Sequence, residues 1–183
     1  QWAGRVTRAM IANAPHPCIY QRVLINDPTQ RASAQYIRMF RDTAIDSVMA
    51  TRGLFPVLQK AMNWTKPPAM EQEVYDDLRA GWQHPDTAFG MINWYRASPL
   101  QVAAPGKPIT NMPDLPHDKL MVHCPHLLIW GTGDTALLPA SYAGLDRYAP
   151  DLTIQEINGA DHWLCHQKPD MVAQAIREWL ARS

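Results

Sequence analysis

The chain has 183 residues, of which 46% are hydrophobic and 19% charged, and its 17 basic and 17 acidic side chains balance. This composition is typical of a globular chain and excludes a disordered one, and the length predicts one domain with an insertion. Because no basic stretch interrupts the charge balance, we expect a small-molecule site and no nucleic-acid partner. No run of about 18 apolar residues occurs, so we expect no membrane partner.

The three cysteines Cys18, Cys124 and Cys165 are odd in number and widely spaced, with no C-x-x-C pair. This spacing favours neither a disulfide framework nor a zinc site. We therefore predict a chain of the reducing cytoplasm without a structural metal.

The first predicted element is a buried parallel strand within residues 6–14, which ends in a turn at the sequence PHP of residues 15–17. The pattern then becomes helical. Asp27 is a candidate N-cap with Pro28 at the first helical position, and Gly53 is the expected stop. Between them we predict one helix followed by a shorter one.

Three more helices are predicted over residues 55–63, 70–83 and 84–99, so that residues 28–99 form an all-helical insertion. The proline-rich segment 102–120 shows little periodicity. It is predicted to be a linker or surface loop through which the insertion rejoins the sheet.

The C-terminal part alternates between strand and helix patterns. A continuous apolar run covers residues 126–134, a helical pattern 139–150 and an alternating pattern 152–159. The final segment, 169–183, has one apolar helical face, formed by Met171, Val172, Ala175, Ile176, Trp179 and Leu180. This order predicts an α/β fold, a parallel sheet flanked by helices. We expect three regions: core strand and turn at 1–27, the helical insertion at 28–99, and C-terminal core strands and helices at 100–183.

Polar residues follow two of the predicted strands. Asp134 comes directly after the apolar run, and His162 follows the next strand. Because function collects at the carboxyl ends of parallel strands, the carboxylate is a candidate to orient the imidazole as a catalytic base. The alternative is structural: Asp134 closes a turn or caps a helix, and His162 is an ordinary loop histidine.

A base of this kind serves a nucleophile. Where the nucleophile lies on a strained strand-to-helix turn, glycines flank a central Ser, Asp or Cys at two residues on either side. No residue of this chain meets that condition, and no H-G loop offers an oxyanion-hole amide. The nucleophile is therefore expected outside this sequence.

Several segments together resemble the α/β-hydrolase family. They are WGTGDTALLP at 130–139, PDLTIQEINGADHW at 150–163, KPDMVAQAIREWL at 168–180 and, upstream, RVTRAMIANAPHP at 5–17. The first three look like the closing strands and helix of that fold, and the fourth like the strand that precedes its helical cap. The resemblance implies that Asp134 and His162 are the acid and base of a catalytic triad.

Within the family, ASAQYIRMFR at 32–41 and GMINWYRASPL at 90–100 are similar to the cap segments of epoxide hydrolases. In that branch one tyrosine from each segment reaches over the site, which implies a catalytic role for Tyr36 and Tyr95. Two phenols can stabilise the alkoxide that epoxide opening creates and deliver a proton to it. The alternative is that both are ordinary amphipathic helix residues. Trp94 and Trp163 are predicted to line the pocket.

The resemblance implies that the parent protein hydrolyses small hydrophobic epoxides to diols through a covalent ester, without a metal or organic cofactor. A haloalkane or haloacid dehalogenase, or a serine esterase, of the same fold is the alternative. A halide leaving group would need N–H donors such as indoles instead of phenols.

The 183 residues match only the cap and the last strands of the family's domain, and they begin with Gln1. We therefore expect a fragment that has no turnover by itself. Its missing core is either part of a longer polypeptide or supplied by another chain. A further alternative is a non-catalytic chain that binds hydrophobic ligands, or pairs through the open edge of its first strand.

Overall fold

The computed structural model of the protein describes residues 4–62 and 70–182, with the backbone alone at 61 and 62. The chain divides into two compact units: residues 1–33 together with 112–183, and residues 34–111. In the described ranges, no helix combines the length and the apolar character that crossing a membrane requires.

The first unit contains a three-stranded sheet. Its strands are β1 (Ala9–Ala12), β2 (His126–Gly131) and β3 (Leu152–Ile157), in the order β1-β2-β3. Both pairings are parallel, and His126 of β2 lies opposite Ala9 on one side and Leu152 on the other. The predicted parallel sheet flanked by helices is confirmed, and all three strands end at the same edge.

One core cluster of this unit lies between the sheet and two C-terminal helices, α8 (Leu164–Gln167) and α9 (Pro169–Ala181). All six residues of β2 are buried, as its continuous apolar run predicts. The buried members are Leu127, Ile129, Ile157, Ala160, Leu164, Val172 and Trp179, with Ala175 and Ile176 packed against them. The outer residues of the predicted apolar face, Met171 and Leu180, are 48% and 40% exposed. The buried face of α9 is therefore narrower than the apolar face predicted from the sequence.

Strand β1 differs from the expected buried strand. Within the described residues it is an edge strand, and Met10 and Ile11 are 44% and 38% exposed. The prediction of burial is wrong for the described residues, because β2 pairs with one edge of β1 and no second described strand pairs with the other.

Sequence analysis missed the helix α1 (Pro17–Asn26). The sequence predicts a turn at residues 15–17, but Pro17 occupies the first helical position, where a missing N–H costs nothing. The helix buries Ile19, Tyr20, Val23 and Leu24, a helical spacing that was visible in the sequence.

The predicted start at Asp27 is confirmed, because its Oδ1 accepts hydrogen bonds from the Thr29 and Gln30 amides at 2.8 and 3.0 Å. Helix α2 (Pro28–Ser33) begins there. Gln30 is fully buried and donates from Nε2 to the Ala136 carbonyl at 2.8 Å. Residues 28–33 therefore belong to the first unit, and the unit boundary lies after Ser33 instead of at the expected 27/28.

The second unit is helical. Its helices are α3 (Gln35–Arg41), α4 (Asp46–Arg52), α5 (Phe55–Met62), α6 (Gln72–Gln83) and α7 (Pro85–Ala97). The predicted helices over 55–63, 70–83 and 84–99 are present with small changes at their ends, and residue 63 lies outside the described residues. Gly53 stops α4 as predicted, with φ of 72°, and a Cβ there would lie 2.4 Å from the Gln83 Cα.

Two segments form shorter helical elements than predicted. Residues 28–53 form three short helices and a 3₁₀ turn instead of two helices, with breaks at Ala34 and Asp42. The helix expected over 139–150 is a pair of 3₁₀ turns, Pro139–Ser141 and Leu145–Arg147. Gly144, the N-cap of the second turn, adopts a left-handed φ of 82°, so a helix cannot continue through this position.

The segment 102–120 contains, as predicted, no helix or strand apart from a 3₁₀ turn at Asp118–Leu120. Its first half belongs to the second unit, because Gln35 and Arg38 donate hydrogen bonds to the carbonyls of Ala103 and Val102. The second boundary therefore follows residue 111 instead of residue 99.

Candidate active site

Asp134 lies three residues beyond the end of β2 and is 3% exposed. Its Oδ1 accepts hydrogen bonds from the backbone amides of Ala136 and Leu137, both at 2.8 Å. The carboxylate therefore closes its own turn, as the structural alternative expected. This leaves its other oxygen, Oδ2, pointing to a different partner.

That partner is His162. Its Nδ1 lies 2.7 Å from Asp134 Oδ2, and the two side chains are 44% and 0% exposed. Because a carboxylate oxygen only accepts hydrogen bonds, Nδ1 carries the hydrogen and Nε2 remains able to take up a proton. The structure thus brings together the two residues predicted at adjacent strand ends, in the arrangement of an oriented base.

The hydrogen bond to Asp134 is the main reason that the pKa of His162 is raised above its ordinary value. Burial acts in the opposite direction, while the negative charges of Asp134 and Asp161 add to the increase. Asp134 therefore both fixes the ring and stabilises its cation.

The loop that carries His162 lies directly against the end of β2. The Gly133 amide donates to the Ala160 carbonyl at 2.8 Å. A Cβ on Gly131 would lie 2.6 Å from the carbonyl oxygens of both Ala160 and Asp161. Glycine is required at 131 because the two backbones leave no space for a side chain.

Gln30 holds the segment that follows Asp134. Besides its bond to the Ala136 carbonyl, it accepts hydrogen bonds at Oε1 from the Leu138 amide at 2.7 Å and the Ser141 hydroxyl at 2.9 Å. Sequence reasoning missed this residue, since a glutamine inside a helical pattern gives no signal for a contact more than 100 residues away.

The second unit brings the two predicted tyrosines together. Tyr36 of α3 and Tyr95 of α7 meet edge to face, with ring centroids 5.8 Å apart and ring planes at 86°. The buried Phe40 contacts both rings, at 5.5 Å from Tyr36 and 4.9 Å from Tyr95. Both tyrosines are half-buried.

Two arginines lock α3 to the segment around Tyr95. Arg41 donates hydrogen bonds to the carbonyls of Tyr95, Ser98 and Leu100 at 2.7 to 2.9 Å. In return, Arg96 donates to the Phe40 carbonyl at 3.1 Å and pairs with Asp46 at 2.5 Å. The sequence NWYR thus places its arginine where it fixes the neighbouring tyrosine.

Burial raises the pKa of Tyr95, and a side-chain hydrogen bond with Tyr36 partly offsets this effect. An ordinary phenol, with a pKa near 10, is already protonated at neutral pH, and the raised pKa of Tyr95 keeps it so. The pair can therefore offer a proton to an oxygen that develops negative charge.

The tryptophans differ in their surroundings. Trp94 is 78% exposed on α7, so nothing in its surroundings supports the pocket role that sequence analysis gave it. Trp163 follows His162 directly; its ring lies 5.8 Å from that of His166 and its amide donates to Asp161 Oδ1 at 2.7 Å. Both pocket roles stay predictions. Over residues 4–62 and 70–182, no group of three or more His, Cys, Asp or Glu is placed to hold a metal ion.

Comparison with known proteins gives consistent results. No family model matches the sequence. The AB hydrolase superfamily protein YfhM of Bacillus subtilis is 27% identical over 92% of this chain, and Epoxide hydrolase 2 of Caenorhabditis elegans is 26% identical over 96%. A solved epoxide hydrolase of the α/β-hydrolase superfamily, from metagenomes of hot environments, is 41% identical with a TM-score of 0.85 over 96% of this chain.

The fold is that of an α/β hydrolase, and the neighbours point to the epoxide hydrolase-like branch. An epoxide hydrolase from Bacillus megaterium, 20% identical with a TM-score of 0.74, shares the fold over 98% of this chain. The chain spans about half the length of the curated relatives it matches, 55% of YfhM and 48% of the nematode protein. It also covers 59% of the metagenomic enzyme.

Proposed function

We propose that the whole protein hydrolyses epoxides to diols. The observation that carries this proposal is the contact between Tyr36 and Tyr95, locked in place by Arg41 and Arg96. The pair of Asp134 and His162 suits any hydrolase of this fold, whereas two adjacent phenols suit a reaction that releases an alkoxide. Relatives named as epoxide hydrolases support the same choice.

The proposed reaction has two steps. In the first, a carboxylate outside this sequence attacks an epoxide carbon, an ester bond forms, the ring C–O bond breaks, and a phenol donates its proton to the ring oxygen. In the second, water gives a proton to His162 Nε2 and attacks the ester carbonyl. The acyl C–O bond breaks, the hydroxyl proton of the tetrahedral intermediate passes to the leaving diol oxygen, and the carboxylate is restored. The imidazolium then gives up the proton taken from water, and through solvent the phenolate left by the first step regains one. Asp134 stabilises the imidazolium formed in this step.

Replacing Tyr95 with phenylalanine tests the proposal against the dehalogenase alternative. In the whole protein, Tyr95→Phe is expected to reduce kcat for epoxide opening by about 10²- to 10³-fold, the usual effect of removing one donor to a developing oxyanion. The measurement is diol formation under saturating epoxide, together with halide release from a chloroalkane.

Tyr75→Phe in α6 removes a phenol from the same unit and is the matched control, expected to leave kcat unchanged. Epoxide opening by Tyr95→Phe at the rate of the unmodified protein, with circular dichroism preserved, would contradict the proposed role. Halide release by the unmodified protein in place of epoxide opening would favour the dehalogenase.

We also propose that the strands of the remaining core pair with β1. In the described residues β1 has β2 as its only strand partner, and its exposed Met10 and Ile11 suit coverage by more core. These strands belong either to a longer form of the same polypeptide or to a second chain.

Co-expression with the N-terminal part of the metagenomic epoxide hydrolase tests this pairing. Native mass spectrometry is expected to detect a one-to-one complex with this chain. The variant Ile11→Lys, which places a charge on the exposed edge, is expected to weaken the complex. A chain that stays monomeric beside the added half would count against pairing through β1.

A further inference from the structure

Asn13, the residue that follows β1, has an unusual backbone conformation. Its φ is 42°, and among the described residues it is the one non-glycine residue with a positive φ. Asn13 is 5% exposed, so its polar side chain needs hydrogen-bond partners within the protein instead of water. A strained backbone of this kind persists where surrounding contacts hold it, and the side chain of Asn13 makes such contacts.

The amide group of Asn13 joins the ends of the other two strands. Its Oδ1 accepts a hydrogen bond from the Gly131 amide at the end of β2, at 2.8 Å. Its Nδ2 donates to the Asp161 carbonyl in the loop after β3, also at 2.8 Å. Its own backbone amide donates to the Ile129 carbonyl at 3.0 Å. One side chain therefore connects all three strand ends.

The chemistry of the position selects asparagine. The two contacts require one acceptor and one donor on the same short planar group, and asparagine offers both. Aspartate offers no donor to the Asp161 carbonyl. Asparagine also tolerates the left-handed backbone region better than most residues, so the strained φ and the two contacts favour the same residue type.

The contacts lie beside the candidate catalytic pair. Gly131 precedes Asp134 by three residues, and Asp161 directly precedes His162. The other side of Asp161 is also held, because its amide donates to Gln167 Oε1 at 2.7 Å. The peptide that leads into His162 is thus fixed from β1 on one side and from α8 on the other.

We propose that Asn13 is a positioning residue that keeps the His162 ring in hydrogen-bond contact with Asp134. Without its amide, the end of β2 and the loop after β3 lose their common anchor, and the distance between Nδ1 and Oδ2 is no longer fixed. The role in catalysis rests on the proposed function. The role in holding the ring does not, and it can be measured without any substrate.

The test uses Asn13→Gly in the whole protein, because glycine accepts the left-handed backbone while removing both side-chain contacts. The pKa of His162 is followed by NMR titration of its ring protons, assigned with His162→Gln. We expect the pKa to fall in the same direction as in Asp134→Asn, where the hydrogen bond itself is lost. Asn26→Gly, at an exposed asparagine whose Nδ2 donates to the Arg22 carbonyl of its own helix, is the matched control and should leave it unchanged.

A second variant, Asn13→Asp, keeps the acceptor to Gly131 and replaces the donor to Asp161. Because it also adds a charge, its readout is hydrogen exchange of residues 158–163, expected to become about tenfold faster, the effect of losing one ordinary hydrogen bond. An unchanged His162 pKa in a folded Asn13→Gly chain, or unchanged exchange in Asn13→Asp, would overturn the proposal. If both shifts occur while the whole protein opens no epoxide, positioning stands and the proposed function fails.

Discussion

In the whole protein, His162→Gln is expected to reduce turnover of an epoxide by about 10²- to 10⁴-fold, the usual contribution of a general base. The variant keeps the nucleophile and both tyrosines, so the first step still proceeds and the ester accumulates. Intact-mass measurement after incubation with epoxide should show the protein heavier by one substrate. Unmodified protein should show no such adduct at steady state.

His166→Gln is the matched control, since this histidine is exposed and lies four residues further along the chain. Among the described residues, its ring contact is with Trp163. It should turn over normally. If His162→Gln also turned over normally, the base would lie elsewhere and the second step of the proposed reaction would be wrong.

The pH profile gives a second measurement on the same residue. A general base works as neutral imidazole, so the hydrolysis rate should rise with pH as His162 loses its proton. Because the pKa of His162 is raised above 6.5, the midpoint of this rise should lie above 6.5. Asp134→Asn removes the main cause of the raised pKa, and the midpoint should move to lower pH while the plateau also falls. If the midpoint did not change in Asp134→Asn, the group that titrates would not be His162.

The meeting of Asp134 and His162 was predictable from one sequence. Each residue follows a strand pattern, parallel strands end at a common edge, and neighbouring strands in the chain are often neighbours in the sheet. The structure confirms the contact at 2.7 Å. The catalytic roles of the two residues stay predictions, because their contact alone does not show that a substrate reacts there.

The contacts that hold this pair were not predictable in the same way. Asn13 and Gln30 act across more than 100 residues of sequence, through single hydrogen bonds that leave no periodic pattern. Asn13 also lies inside the strand predicted over residues 6–14, so the sequence pattern does not mark it as the residue that follows the strand. Residues of this kind are found from buried polar atoms and unusual backbone angles, which only coordinates provide.

Tyr36 and Tyr95 show a different limit of prediction from sequence, because the residue pattern alone did not single them out. Helical spacing gave no reason to single out Tyr36 or Tyr95, and their selection depended on the resemblance of two short segments to epoxide hydrolases. The structure places the two rings in contact, and Arg41 and Arg96 exchange hydrogen bonds between the two segments. Trp94, predicted to line the pocket, is exposed at 78%.

Gly131→Ala is expected to have the largest effect on stability, lowering the free energy of unfolding of the first unit by about 3 kcal/mol, the upper end of the usual cost of overpacking. The new Cβ would lie 2.6 Å from two backbone carbonyl oxygens, of Ala160 and Asp161. Backbone atoms cannot rotate away as the end of a flexible side chain can, so the loop that carries His162 must move as a whole. The same movement should lengthen the contact with Asp134 and lower the pKa of His162.

Two other glycines make the comparison quantitative. Gly133→Ala brings a Cβ to 3.1 Å from the Ala160 carbonyl oxygen, a milder approach with a smaller expected cost, while Gly90 in α7 has nothing within 4 Å. Gly90→Ala should therefore stabilise its helix by up to about 1 kcal/mol, the propensity difference between the two residues. Urea unfolding, read by the protection of β2 amides for the first unit and of α7 amides for the second, orders the three variants. If Gly131→Ala were as stable as Gly133→Ala, the strand end and the histidine loop would not be in the tight contact that holds the candidate base.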